Sequence, residues 1–334
     1  MRRLAKRYAT ELVLVGLFVV LFWAVSSLSP AFLTTGNMFQ LARQMVELSI
    51  ITCGMAVVII SGGIDLSVGA QVGLISVTMA VLIVSGWAMV PALLAGLVVA
   101  LIAGAINGLL VGVLGVPPLV ATLGTSLVYA GAATAMSEGR AVSGFPEAYY
   151  VFGQSFVGPV PAQVFVMLAV VALTLVLMAF TRWGRRVYLI GSNPVAARFA
   201  GIRVSRVLAG AYLFAGVLAY GVAVVLPRRT ATARVDLGDA YVLSAISAVV
   251  FGGISIVGGR GNVLGAFLGV AIFTVIQNGL GLAGISVFIQ TVVIGVTLIA
   301  VLTARELFGR LAQHSRTTST PPAGVPATTK EEHA

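Results

Sequence analysis

The stretch VELSIITCGMAVVIISGGIDLSVGAQVGLISVTMAVLIV, residues 46 to 84, decides the fold class of this chain. It contains 39 residues, about twice the 20 apolar residues that an α-helix needs to cross a bilayer. The segment SGGIDLSVGA, residues 61 to 70, interrupts it near the middle, where Gly62 and Gly63 loosen the helix. The pattern predicts two membrane helices joined by a tight polar turn.

The composition of the whole chain supports an integral membrane protein. Hydrophobic residues make up 59% and charged residues 9%, whereas soluble domains contain about 45 to 50% apolar residues. The 39 glycines, against eight tyrosines and three tryptophans, favour closely packed helices over an outer-membrane barrel, which needs aromatic girdles. We therefore expect an all-α, polytopic membrane protein.

Ten apolar runs are long enough to be spans. A cytoplasmic N-terminus places 15 of the 20 lysines and arginines in the cytosol and five outside, as the positive-inside rule requires. Both termini are then cytoplasmic, the loop around Phe145 is outside, and the net charge reflects topology rather than nucleic-acid binding. The runs are 12 to 28, 46 to 64, 66 to 85, 89 to 114, 117 to 136, 161 to 180, 207 to 226, 241 to 258, 264 to 282 and 286 to 303.

The chain divides into a membrane domain and a tail. Residues 1 to 311 form the predicted transmembrane domain, with a cytoplasmic loop at about 182 to 206. Residues 312 to 334 are rich in Thr, Ser, Pro, Ala and Glu, a composition that predicts a disordered cytoplasmic tail. The first 30 residues also fit a signal peptide, but their apolar run is long enough to span and no hydrophilic domain follows it.

The segment GSNPVAARFAGI, residues 191 to 202, carries its own start and stop signals for a short polar helix. Asn193 fits the N-cap, Pro194 the first helical position and Gly201 the left-handed residue after the last turn. A helix of this length is too short to be stable alone. We therefore expect the chain to present it to a cytoplasmic partner.

Asp65 is the most prominent polar residue of the apolar stretch, and two interpretations remain open. Asp65 or Ser67 can cap the helix that restarts after the glycines. Alternatively, a carboxylate deep in the membrane costs about 2.5 to 3.5 kcal/mol and marks a gate or pathway residue.

The related sequence FGGISIVGGRGN, residues 251 to 262, hints at an internal duplication. On this topology both breaks are cytoplasmic, and both are candidates for an inner gate or a second partner contact.

The fourth run carries small residues at intervals of four, which lets another helix backbone approach closely. Asn107 lies beside this ladder and is either interhelical glue or a pathway residue. Other uncharged hydrogen-bonding groups could line a passage for a neutral, hydroxyl-rich solute, or serve structure alone. They are Thr122, Thr125, Gln277, Asn278 and Gln290.

The sequence also excludes several chemistries. The only histidines, His314 and His333, are in the tail, and Cys53 is the only cysteine, so a catalytic triad or zinc site in the membrane is not expected. No phosphate-binding loop is present, so ATP, if it drives this protein, binds another chain. A secondary transporter would need more ionisable groups inside the spans. An intramembrane enzyme with a paired-aspartate site would need a second carboxylate inside the membrane beside Asp65.

Five segments of the chain together resemble a known family. SGGIDLSVGA, AGAINGLLVGVLGVPPLVATLGTSLVYAG, GRRVYLIGSNPVAARFAGI, YVLSAISAVVFGGISIVGGRGNVLGAFLGV and IQNGL occur in this order. They look like the membrane permease subunit of bacterial ABC importers for ribose, xylose, arabinose, galactose and related simple sugars. The resemblance covers most of residues 45 to 300 and implies a plasma-membrane permease that imports a sugar or polyol-like solute by alternating access. Less closely, it extends to permeases for nucleosides, autoinducer sugars and branched-chain amino acids.

The resemblance also implies partners and site residues. The partners are a second permease copy, an extracytoplasmic solute-binding protein and an ATPase with two nucleotide-binding cassettes. That ATPase binds the ATP and magnesium, and this chain binds no cofactor. Two departures are Val195, where Glu is usual, and Val242 with Ser244, where acidic residues are frequent. The implied ATPase-docking residues are Gly191, Ser192, Asn193, Pro194, Ala196, Ala197, Arg198 and Gly201.

Overall fold

The computed structural model describes residues 9 to 147, 149, 155 to 297, 299, 300 and 303. This part of the chain is almost entirely helical, with one short hairpin of Phe156–Val157 (β1) and Val160–Pro161 (β2). The helices are α1 Ala9–Leu28, α2 Thr35–Ile60, α3 Val68–Val84, α4 Met89–Gly108, α5 Pro118–Ser137, α6 Ala162–Phe180, α7 Arg182–Ser192, α8 Pro194–Phe199, α9 Val204–Thr230, α10 Asp239–Phe251, α11 Val263–Leu282 and α12 Val287–Thr297.

The predicted all-α, polytopic class is confirmed. Each of the ten apolar runs coincides with an apolar helix, and seven helices in the described residues are long and apolar enough to cross a membrane. The other three, α3, α10 and α12, are shorter. The count of ten crossings and the cytoplasmic termini stay predictions, and the tail from 312 to 334 lies outside the described residues.

The centre of the bundle is formed by α2 and α9, which pack against each other. α9 also packs against α3 and α4, and α2 packs against α6, α10 and α11. The predicted ladder on α4 lies against α9. A Cβ added to Gly104 would be 3.0 Å from the Cα of Leu213, and one added to Gly108 would be 2.9 Å from the Cα of Ala209. Small residues therefore bring the two backbones together. α4 then continues as a π-helical turn, Leu109–Val113.

Several helix boundaries differ from the predicted ones, and α10, for example, ends at Phe251, seven residues before the predicted end at 258. α2 begins at Thr35, eleven residues before the predicted start at 46, because its polar first turns pack on α1 and α11 through Leu41. α9 extends to Thr230 rather than 226 and so includes Arg228 and Arg229. Both arginines therefore belong to a helix and not to a loop.

Candidate functional site

The segment from 191 to 202 folds locally as its sequence predicts. The Oδ1 of Asn193 accepts hydrogen bonds from the backbone N–H groups of Val195 (3.0 Å) and Ala196 (2.9 Å), which caps α8. At the other end, the N–H of Ile202 donates to the carbonyl of Ala197 at 3.0 Å. Gly201 has the left-handed φ of 75° that this helix stop requires.

The side chains of α8 divide into an inward and an outward set. Ala197 is only 4% exposed and belongs to the buried core that includes Ile190 and Val204. It therefore anchors α8 to the permease itself. By contrast, Phe199 is 89% exposed and Val195 is 58% exposed. These two apolar side chains lie on the outward face of α8 together with Ala196, so Ala197 is the one implied docking alanine that is turned inward.

Both glycine-rich breaks meet the end of α7, beside α8. The N–H of Gly259 donates to the carbonyl oxygen of Ile60 at 2.8 Å. A Cβ on Gly191 would lie 1.9 Å from that same oxygen, and a Cβ on Gly258 would lie 2.9 Å from the Cα of Gly62. We call this backbone contact of 60 to 62, 191 to 192 and 258 to 259 the glycine junction. Its glycines, Gly191, Gly258 and Gly259, have no room for a side chain because three chain segments are in contact there through their backbones.

Five of the six proposed gate or pathway residues form one buried network. Ser67 donates through its backbone N–H (2.9 Å) and its hydroxyl (2.6 Å) to Asp65 Oδ1. Asn107 Nδ2 donates to Ser67 Oγ at 2.7 Å, and the Thr125 hydroxyl donates to Asn107 Oδ1 at 2.7 Å. Thr122 Oγ1 accepts from the N–H of Leu66 at 3.1 Å, so this polar network fastens the turn before α3 to α4 and α5.

The burial of the network bears on the role of Asp65. Asp65, Ser67, Asn107 and Thr122 are 0% exposed, and no cation among the described residues pairs with the carboxylate. Asp65 instead accepts hydrogen bonds from Ser67 and Gln71. In the described structure these side chains hydrogen-bond to one another between helices, and their role as gate or pathway residues stays a prediction.

Asn278, the sixth residue, lies outside this network, on the wall of a cavity. It exchanges two hydrogen bonds with Asn37, at 2.8 and 2.9 Å. Both residues line a cavity of about 340 Å³ that adjoins a second cavity of about 480 Å³. Three glutamines line both cavities and define what we call the amide cleft: Gln44, Gln277 and Gln290.

An ion pair that sequence reasoning missed lies beside the amide cleft. The Nε of Arg229 is 3.0 Å from Oε1 of Glu47, which is completely buried. Arg229 also donates to the hydroxyl of Tyr241 at 3.3 Å and lines the larger cavity. Arg228 stacks on the ring of Tyr149 at 4.8 Å. The sequence did contain a signal for this ion pair: Glu47 lies inside one predicted span, and two arginines follow the end of another.

The amide cleft and α8 lie at opposite ends of α9. This helix has 27 residues and is therefore about 40 Å long. Val204, at its start, packs in the same core as Ala197, and Arg229, near its end, lines the cleft. A single helix thus connects the two candidate functional surfaces.

Comparison with known proteins gives strong matches along nearly the whole chain. The family model described as branched-chain amino acid transport system / permease component matches residues 37 to 302. The ribose import permease protein RbsC of Bacillus subtilis (strain 168) is 40% identical over 87% of this chain and 91% of its own length. The autoinducer 2 import system permease proteins LsrD of Escherichia coli O9:H4 (strain HS) and Shigella flexneri are each 33% identical over 90% of this chain and 93% of theirs. No solved structure gives a significant match.

Proposed function

The chain belongs to the family of the branched-chain amino acid transport system permease component, and on this premise we propose that it imports a simple sugar as the membrane subunit of an ABC importer. The observation that carries the choice of sugar is the 40% identity to a ribose import permease across 87% of the chain. The lower identity to autoinducer 2 permeases, 33%, makes an autoinducer sugar the second candidate. Nucleosides and branched-chain amino acids are less favoured alternatives.

Transport in this proposal is driven from the docking end. A separate ATPase with two cassettes binds ATP and magnesium and receives α8 in a cleft. Phe199 and Val195 supply the apolar contact, since large exposed apolar groups that fit a pocket carry much of the energy of an interface. The capped ends of α8 hold it rigid, so little ordering entropy is lost on binding.

Movement then passes from the ATPase to the membrane helices through the glycine junction. Gly191 contacts Ile60 at the end of α2, and the chain from Ile60 leads within five residues to Asp65 and the polar network. A displacement of α7 and α8 therefore acts directly on the turn between α2 and α3. Alternating access in this proposal is a rearrangement of that turn and of α9, with a second permease copy completing the passage.

The proposal is tested by reconstitution. The chain is assembled in proteoliposomes with the ATPase and solute-binding protein of its own organism, and the uptake of labelled D-ribose, autoinducer 2 and L-leucine is measured with and without internal ATP. We expect ATP-dependent uptake of a sugar and none of leucine. Uptake of leucine alone, or sugar uptake that follows an ion gradient without ATP, would refute the proposal.

A further inference from the structure

We propose that the amide cleft is a binding site of the permease itself for a neutral, polyhydroxylated solute. In this proposal the permease binds the sugar directly during transport and does not only form a passage for it. The inference rests on the proposed function, because a solute must be delivered to the cleft. On the predicted topology, the cleft faces the extracytoplasmic side.

The walls of the cleft suit hydroxyl groups. A sugar hydroxyl both donates and accepts, and an amide side chain offers two donors and a carbonyl acceptor. Gln44, Gln277 and Gln290 supply three such amides, and Ser244 and Tyr241 add hydroxyls beside them. The cavity of about 480 Å³ is within the range of about 300 to 1,000 Å³ typical of small-ligand sites.

Apart from Arg229 Nε, which faces Glu47, two buried polar atoms at this site lack hydrogen-bond partners among the described residues. The hydroxyl of Ser247 is in a side chain only 1% exposed, lines the cleft, and finds no hydrogen-bond partner within the described part of the chain. The Oε1 of Gln44 is likewise unpaired there. Buried polar groups in proteins are nearly always hydrogen-bonded. Their position on the cavity wall indicates that a solute, or the water it displaces, completes these bonds.

The charges around the cleft disfavour a zwitterion. An amino acid needs a free cation for its carboxylate and a free anion for its ammonium group. Arg229 is the one cation among the described residues that line the larger cavity, and it is already paired with Glu47. Asp239 also lines the larger cavity, is exposed and is in no ion pair among the described residues, so its carboxylate can accept a hydrogen bond from a solute hydroxyl. The carboxylate of an amino acid would therefore find no unpaired cation among these lining residues.

The direct test uses the purified permease in nanodiscs without its partners, with D-ribose and L-leucine as probes in saturation-transfer NMR. The variants are Gln44→Met and Ser247→Ala, which remove polar atoms with little change of shape. The control is Ser76→Ala, which removes a buried hydroxyl that bonds to its own helix on α3, at Gly73. We expect a ribose signal for wild type and control that falls at least threefold in both cleft variants, and no comparable leucine signal.

Uptake in the reconstituted importer gives the second readout. We expect Gln44→Met/Ser247→Ala to transport sugar at least tenfold more slowly, while ATP hydrolysis stimulated by the loaded solute-binding protein persists. Sugar uptake by the double variant at the wild-type rate, or equal ribose signals in wild type and cleft variants, would overturn the site and leave the proposed function intact. Absence of sugar uptake by the wild-type importer would instead refute the proposed function.

Discussion

The backbone N–H of Gly259 donates a hydrogen bond of 2.8 Å to the carbonyl oxygen of Ile60, which joins two glycine-rich breaks that are nearly 200 residues apart in the chain. Gly191 lies against the same oxygen, with no room for a side chain. The end of α2, the end of α7 and the loop before α11 are therefore in direct backbone contact. This geometry makes the junction testable separately from docking.

Gly191→Ala is expected to uncouple the importer. The added methyl group would lie 1.9 Å from the oxygen of Ile60, so α7 must shift away from α2, while the outward face of α8 is unchanged. We predict that the ATPase still co-purifies and that sugar uptake per ATP hydrolysed falls at least tenfold. Gly131→Ala is the matched control, because a Cβ there meets nothing within 4 Å. Equal coupling in both variants would exclude the junction as a transmission element.

Phe199→Ala should weaken binding of the ATPase without affecting the membrane fold. The ring is 89% exposed in the chain alone, and truncation of a central interface anchor costs about 2 kcal/mol or more, which is more than tenfold in affinity. Co-purification at increasing salt and detergent measures the loss. Leu189→Ala, at an exposed apolar residue of α7, is the control. Full retention of the ATPase by Phe199→Ala would show that this face is not the docking surface.

Ala197→Trp is expected to act differently from a docking variant. Ala197 is buried in the permease core, so a tryptophan would overpack it at a cost of about 1 to 3 kcal/mol. The helix, not only the interface, would be disturbed, and the yield of the chain in membranes should fall together with ATPase binding. Normal yield with lost ATPase binding would instead place Ala197 at the interface.

The sequence predicted the class of fold and the local structure of α8 because both depend on neighbouring residues. Apolar runs mark helices, and Asn193, Pro194 and Gly201 act within one short segment. The early start of α2 was missed because Gln40, Arg43 and Gln44 lower the local hydropathy. Gln40 and Gln44 line the smaller cavity of the amide cleft. The guanidinium group of Arg43 lies over the ring of Phe156, 5.4 Å from its centroid. Hydropathy does not distinguish a polar cleft from a loop.

The site was only partly predictable for a related reason. Thr125, Asn107 and Ser67 could be named as polar residues in spans, but their chain of hydrogen bonds depends on how α3, α4 and α5 pack. Likewise, the pairing of Glu47 with Arg229 joins residues of α2 and α9 that are distant in sequence. Such long-range contacts leave no local pattern to read.

Asp65→Asn and Asp65→Leu should differ in stability. Asparagine keeps an acceptor for the N–H and hydroxyl of Ser67, whereas leucine leaves both donors buried and unpaired, at about 1 to 3 kcal/mol each. We expect the asparagine variant to retain most of its yield and uptake, and the leucine variant to be poorly stable in detergent. An asparagine variant with normal yield and strongly reduced uptake would instead assign the negative charge a role in gating.

The final prediction concerns the ion pair beside the amide cleft. Glu47 is fully buried, whereas the side chain of Arg229 is 29% exposed. Arg229→Gln leaves a carboxylate without its partner away from water, and an unpaired buried charge costs about 3 to 5 kcal/mol. Glu47→Gln should cost less, because the arginine can still reach water. The double variant removes both charges, so it should be more stable than Arg229→Gln alone.

Cys53 offers the measurement for this order of stability. It is the only cysteine of the chain and is 3% exposed, so a thiol-reactive fluorogenic dye reports unfolding on heating. We expect midpoints that decrease from wild type to Glu47→Gln to Arg229→Gln, with the double variant above Arg229→Gln. Asp236→Asn is the control, because its partner Arg234 is exposed and surface pairs contribute about 0 to 1 kcal/mol. A double variant no more stable than Arg229→Gln would mean that Glu47 and Arg229 act independently. Arg229 would then count as an unpaired cation at the amide cleft, and the argument against an amino acid as the solute would fail.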